Sequence, residues 1–298
     1  MGYLFALIPP LLDSIINFLD KFLLSKQKIS ATVLTIYSGI FAFITGLIVI
    51  FFTGLFPTNL QTMIVLIASG FCGLFILITY FKALTLDEAS RVASLFQFVP
   101  VFVLLLSFIF LHETLLFKQY IGCGVIIISG FLFSVRKGDY SLIKVNRAFW
   151  YMIAASIISA FVYILFKIGV TQIGFWQAIP YEGFGNLLAA VCFILYRNNR
   201  KKLRFETRQI SKKVFVYLSI SEFVYRLSRL SFYFALLLIP ASIVSVLQGF
   251  QPLFLLIEGI ILSLWFPHIL KEVVNKKTIK IKLFAVVGVF IGLYLLFV

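Results

Sequence analysis

Ten apolar stretches, each close to the length of a membrane crossing, constrain this chain more than anything else in it. A hydrocarbon core of about 30 Å needs about 20 apolar residues in a helix. Residues 3–24, 31–53, 62–83, 89–111, 117–135, 147–170, 175–196, 213–237, 241–266 and 281–298 meet that measure. Lipid offers no partner to a backbone N–H or C=O, so each stretch is expected to be helical; the period-two alternation of a membrane barrel is absent. Composition agrees, since 62% hydrophobic and 12% charged residues cannot supply a water-soluble exterior. The expected fold is therefore an all-α integral membrane protein with ten transmembrane helices, multi-pass in the cell (inner or plasma) membrane. Met1–Leu24 lacks a basic start and carries Asp13, Asn17 and Asp20, so it reads as the first span rather than a cleavable leader.

The formal net charge of +15 does not point to nucleic acid. Most of the 26 Lys and Arg sit in the short odd-numbered connections between apolar stretches, above all in "RNNRKKLRFETRQISKK" (Arg197–Lys213). That is the pattern of orienting charges, and it puts those connections in the cytoplasm and both termini outside. The basic Arg197–Lys213 connection reads first as a topology anchor, with contact to anionic lipid as the lesser alternative. Cys72, Cys123 and Cys192 lie far apart inside apolar stretches and show no metal-ligand spacing, so they read as buried small residues.

Shifting the sequence by 152 residues lays "ALTLDEASRVASLFQFVPVFVLLLSFIF" (Ala83–Phe110) over "ALLLIPASIVSVLQGFQPLFLLIEGIIL" (Ala235–Leu262). Ala89/Ala241, Ser90/Ser242 and the mid-helix prolines Pro100/Pro252 coincide, which shared Leu and Phe alone would not make telling. The repeat maps segments 3–4 onto 8–9, so the unit is five helices. Five is odd, and the second unit must then lie inverted in the membrane: residues 1–137 form one repeat and residues 138–298 the other. Inverted repeats mark alternating-access transporters, with a substrate site near the midplane.

"KALTLDEASRVASLFQFVPVFVLLLSFIFLHETLLFKQYIGCGVIIISG" (Lys82–Gly130) resembles the EamA domain of the drug/metabolite transporter (DMT) superfamily. The resemblance rests on the Ala-Leu and Ala-Ser turn, Pro100, Glu113, and Gln119 with Gly122 and Gly130; the second half repeats it through Ala241, Ser242 and Pro252. It departs where Trp265 replaces the glutamate and where a basic insertion spans 267–282. The resemblance implies a transporter fold without fixing a substrate, since the family exports amino acids, drugs and many metabolites. Family members are usually drawn with both termini in the cytoplasm, opposite to the charge distribution here.

Charges inside the apolar stretches are few and fall on stripes. In the eighth segment Glu222, Arg226 and Arg229 lie within about 60° of one another around a helix, with Tyr225, Tyr233 and Ser219 nearby, while Phe223, Leu227, Leu230 and Phe234 take the other faces. Charges at membrane depth persist only when they pair or face water. Glu222 and Arg226, spaced i,i+4, can pair, leaving Arg229 to seek an acidic helix or an anion. Asp13, Asn17 and Asp20 form a second stripe, with Asp13 about 15 Å into its helix; Glu182 and Asn186 sit i,i+4 on the seventh segment beside Gly183 and Gly185. The residues expected to bind substrate are Arg226 and Arg229 for a carboxylate or phosphate, Glu222, Glu182 or Asp13 for a cationic group or a coupling proton, Asn17 and Tyr225 beside them, and Tyr163 with Lys167 to complete the site. Salt bridges that merely fix packing are the bland alternative, and for Glu258 and Asp20 it weighs as heavily as a binding role.

No HExxH, phosphate-cradling glycine loop or nucleophile–base set appears, so an enzyme, a metal site and a cofactor are not expected. The expected function is secondary active transport of a small polar metabolite, an amino acid or another carboxylate- or phosphate-bearing compound, by alternating access. The expected partners are a small-molecule substrate, a coupling proton and membrane lipid, with no nucleic acid. A translocase of lipid-linked or phospholipid headgroups, or a non-transporting scaffold with its charges fully paired, stay open as alternatives.

Overall fold

The computed structural model describes residues 1–54, 58–87, 92–93, 95–132, 146–255, 257–258 and 276–297. Among the described residues there is no strand, and eleven α-helices follow one another: α1 Gly2–Ser25, α2 Ala31–Thr53, α3 Leu60–Leu86, α4 Phe98–Leu106, α5 Phe117–Leu132, α6 Arg147–Ile173, α7 Phe175–Leu195, α8 Arg197–Gln209, α9 Lys212–Leu238, α10 Ala241–Leu247 and α11 Lys276–Phe297. A π-helical turn, Ser107–Leu111, extends α4, and a 3₁₀ turn, Gln248–Phe250, carries α10 onward.

The helices start where the sequence supplies a cap. The side chains of Ser30, Asn59, Asn146 and Ser211 each accept a hydrogen bond from the backbone N–H three residues on, opening α2, α3, α6 and α9. Gly174, at φ +84°, ends α6 and lets α7 begin at the next residue, a conformation that any Cβ would strain. Glu113 closes a longer-range cap: its carboxylate accepts from the backbone N–H of Ala241 (3.0 Å) and from Ser242 N–H and Oγ–H (3.4 and 3.3 Å). It thereby holds the N-terminus of α10, where the dipole favours an anion. In the equivalent place of the other half, Ala89, Ser90 and Trp265 lie outside the described residues, as does much of the 267–282 insertion.

Five helices, α1, α2, α3, α6 and α7, are long and apolar enough to cross a membrane. Shorter apolar stretches cover Phe98–Leu111, Phe117–Leu132, Ala241–Leu255 and Leu283–Leu296. α9 has 27 residues, about 40 Å of helix, but carries the three charges of the eighth segment. Large apolar side chains including Phe51, Phe52, Phe108, Phe110, Trp150, Trp176 and Phe223 are exposed around the bundle, as lipid contact requires and water would penalise.

The Arg197–Lys213 connection is not simply a loop, because Arg197–Gln209 coils into α8, with no residue buried. Its Arg, Lys, Glu and Gln are good helix formers, so a stretch scored only for its charge folds on propensity. Glu206 of α8 accepts from the backbone N–H of Ser30 (2.8 Å) and Thr207 meets the Tyr37 hydroxyl (3.1 Å), which places this basic helix at the same end of the bundle as the Lys26–Lys28 turn. These two basic connections thus share one end, as an orienting role demands.

α1 packs along α9, α3 along α6 and α7, α2 along α7, and α5 along α11. The α3–α7 contact is backbone on backbone: a Cβ on Gly70 would strike the Glu182 carbonyl, and one on Gly185 the Ile67 carbonyl. Two apolar clusters result. One, around Leu23, Leu34, Phe81, Met152 and Leu218, lies at the basic end; the other, around Phe166, Phe175, Phe232, Leu236 and Val244, lies toward the opposite end.

Two lysines cap helix ends in matching fashion. Lys21 Nζ donates to the carbonyls of Leu84 (2.5 Å) and Asp87 (2.7 Å) at the C-terminus of α3. Lys167 Nζ donates to those of Leu236 and Ile239 (2.8 Å) at the C-terminus of α9. Both pairs of acceptors are 152 residues apart, the offset of the sequence repeat. Lys21→Met and Lys167→Met are each expected to lower stability by about 1–3 kcal/mol, because terminal carbonyls lose their donor in a poorly solvated place; unfolding in detergent micelles measures it.

Candidate functional site

Between the two apolar clusters lies a cavity of about 100 Å³, room for several waters or a small metabolite. The inner faces of α1, α2, α3, α6, α7 and α9 line it, with Phe96 and Val99 at the start of α4 and Gln248 and Gln251 beyond α10. The polar stripe of α9 turns into it: Glu222 and Arg226 are buried, while Phe223 and Leu227 point outward at 62% and 43% exposure. One apolar rod with one charged face therefore keeps its charges off lipid.

Arg229 finds its acid on α1. Its Nη2 lies 3.1 Å from Asp13 Oδ2, and Ser228 Oγ donates to Asp13 Oδ1 at 2.5 Å. The Arg229 guanidinium also lies 5.2 Å from the Tyr225 ring centroid and 5.1 Å from that of Phe232. An aromatic layer closes the cavity beyond this pair: Tyr163 packs on Phe232 (4.4 Å between centroids), Phe166 stacks on Tyr233 (3.8 Å), and Phe5, Phe234 and Phe175 meet edge to face.

The expected Glu222–Arg226 pair does not form. Glu222 reaches across to α2, where Ser38 Oγ donates to its Oε1, and its Oε2 is buried without a partner. The i,i+4 neighbour loses because the glutamate side chain is aimed across the helix gap rather than along its own axis. Arg226 makes no hydrogen bond or salt bridge among the described residues; its Nε is buried and unpartnered, and its guanidinium lies 4.5 Å from the Tyr225 ring centroid. Burying a guanidinium in this way is costly unless something supplies oxygen acceptors.

The remaining acids are held by neutral donors. Glu182 Oε1 accepts from Asn186 Nδ2 (2.6 Å) and from the Tyr233 hydroxyl (2.9 Å). Asp20 accepts from Ser221 Oγ (3.0 Å) and lies 3.5 Å from the Tyr80 hydroxyl, which donates to Asn17 Oδ1; Asn17 Nδ2 is unpartnered. The cavity so gathers Asp13, Asp20, Glu182 and Glu222 against Arg226 and Arg229. On α9 alone the two arginines outnumber the single glutamate; Asp13 and Asp20 of α1 and Glu182 of α7 turn that balance over.

Of the residues expected at a site, Asp13, Asn17, Tyr163, Glu182, Glu222, Tyr225, Arg226 and Arg229 line this cavity. Lys167 does not: it is drawn to the end of α9, where its ammonium caps carbonyls. Ser38, Tyr80, Ser159, Gln248 and Gln251 also line the cavity and were not foreseen. The glutamines carried a signal, being polar residues inside the apolar run "SVLQGFQPLF"; the serines and Tyr80 did not, since such residues are common in membrane helices.

The model of the EamA-like transporter family matches residues 1–135. The match covers just under half of the 298-residue chain. That family is one of membrane transporters, which agrees with the apolar helices of a multi-pass membrane protein. A solved structure, described only as the crystal structure of a protein, shares its fold with a TM-score of 0.70 at 14% identity, covering 99% of this chain and 96% of that one. No curated protein matches the chain.

Proposed function

We propose that the protein is a secondary active transporter that moves a small polar metabolite bearing a carboxylate or phosphate across the cell membrane by alternating access. Ten spans in two inverted five-helix repeats, residues 1–137 and 138–298, carry the motion. The lysine caps support the repeat, because their acceptor carbonyls stand 152 residues apart and their lysines lie near the ends of α1 and α6, which equates α1 with α6 and α3 with α9. The packing supports it too, since exchanging the halves turns the α1–α9 contact into α6–α3 and returns α2–α7 and α5–α11 to themselves.

One contact breaks that symmetry. α3 lies along α7, whereas its equivalent α9 touches α2 only locally. Under the offset, Gly70 corresponds to Glu222: the glycine lets α3 meet the α7 backbone, and the glutamate side chain stands between α9 and α2. In an inverted-repeat transporter such a difference between halves distinguishes the two access states.

The observation that carries the reading is Arg226, a buried guanidinium with no acceptor among the described residues, at the edge of a cavity. A carboxylate or phosphate offers it a bidentate partner. The unpartnered oxygen of Glu222 and the surplus of carboxyls suit a substrate that also brings a cationic group or an accompanying proton. A melting-temperature screen of purified protein against amino acids, sugar phosphates, nucleotides, glycerophospho headgroups and quaternary amines tests this. Concentration-dependent stabilisation by an anionic or zwitterionic compound is expected; stabilisation by lipophilic cations alone would contradict it.

A further inference from the structure

Glu258 lies outside the cavity and outside every role assigned above. It stands on the continuation of α10 and meets the middle of α1, where its Oε1 is 2.7 Å from Ser14 Oγ. Its Oε2 is buried and has no partner. Ser14 Oγ is also 2.6 Å from the carbonyl of Leu11. A serine hydroxyl has one proton to donate, and a backbone carbonyl can only accept. If the Ser14 proton goes to Leu11, the close approach of Glu258 needs a hydrogen of its own, on the carboxyl.

The surroundings agree. Among the described residues no Lys, Arg or His lies within salt-bridge distance of Glu258. On α1, Asp13 is turned to Arg229 and Asp20 to Ser221; on α9, Glu222, Arg226 and Arg229 face the cavity. Residues 283–296 of α11 and the described part of α4 carry no charged residue. An ionised carboxylate at membrane depth with no cation and one orphaned oxygen is unfavourable, whereas the neutral acid satisfies Ser14 and carries no charge.

We propose that Glu258 with Ser14 is a proton-binding site, loaded in this conformation and discharged to water when the contact between α1 and α10 opens. This rests on the alternating-access reading, because α1 and α10 belong to different halves, and it separates the proton from the substrate groups in the cavity. Ser14 adjoins Asp13, so movement of α1 reaches the Arg229 pair and the proton site together.

Infrared difference spectra of the full-length protein in lipid nanodiscs at neutral pH test the proton. Wild type minus Glu258→Gln should show the C=O stretch of a protonated carboxyl, sensitive to exchange into D2O. Ser14→Ala should move the same band to higher frequency, and serves alone if the Gln variant folds poorly. A difference spectrum holding only carboxylate stretches, or a band indifferent to Ser14→Ala, overturns the site. Spin labels at the basic ends of α2 and α9 test the coupling. Wild-type distances should change with pH while Glu258→Gln stays at one distribution; an identical pH response in both overturns the coupling. None of these outcomes depends on Arg226, so the substrate reading fails or survives separately.

Discussion

Asp13→Ala is expected to destabilise the folded protein by about 3 kcal/mol. The change removes the only salt-bridge partner that Arg229 has among the described residues, and also the acceptor of the Ser228 hydroxyl. Both side chains of the pair are about 85% shielded, with 16% and 15% exposure. Stripping one partner from a buried pair strands the other charge, which costs more than the pair itself contributes. The double change Asp13→Ala with Arg229→Ala should therefore recover much of the loss, since no orphaned cation remains. Unfolding of the two single variants and the double variant in the same detergent closes the thermodynamic cycle. A loss below about 1 kcal/mol for Asp13→Ala alone would mean that the pair is solvated and the cavity wetter than its geometry implies.

Arg226→Ala should behave in the opposite way. Among the described residues Arg226 has no hydrogen bond or salt bridge to lose, so the fold should lose only about 1 kcal/mol, the cost of its packing on Tyr225 and of its charge near Glu182 and Glu222. Ligand stabilisation should collapse: losing a buried charge-assisted contact to an anion costs at least about 2 kcal/mol, about 30-fold in Kd. Arg226→Lys should fall between the two, because an ammonium keeps the charge and gives up the planar fork. Isothermal titration of wild type and both variants with the compound that stabilises wild type measures all three. Unchanged affinity in Arg226→Ala would remove the residue from the site.

These two arginines also show where the sequence was legible. The α9 stripe followed from the helical period, and so did the inward turn of Asp13, Asn17 and Asp20 on α1, because the energetic penalty for charge in lipid leaves one place for a charged face. The partners were legible only in part. Arg229 had to find an acid, and it did; Glu222 and Arg226 were adjacent on one helix, yet Glu222 prefers a serine on α2 that no spacing rule points to. Lys167 shared a face with Tyr163 at i,i+4, but its long side chain extends to carbonyls at the end of another helix, a destination fixed by the tertiary arrangement. Charge counting found the end of the bundle where α8 lies and missed that it is a helix. The close contact through Gly70 and Gly185 was foreshadowed only by Gly185, since one small residue does not name its neighbour.

Access to the cavity from each face of the membrane separates an alternating-access transporter from a closed scaffold. Ser159 lines the cavity, is 1% exposed, and has a hydroxyl without a partner, so Ser159→Cys changes little. In a variant with Cys72, Cys123 and Cys192 replaced by serine, sealed proteoliposomes can be treated with a membrane-impermeant thiol reagent from outside or from within. The cysteine of Ser159→Cys is expected to react from both faces, in a ratio that shifts when the stabilising compound is added. Reaction from one face only under every condition, or from neither, would contradict a cavity that opens alternately to the two sides.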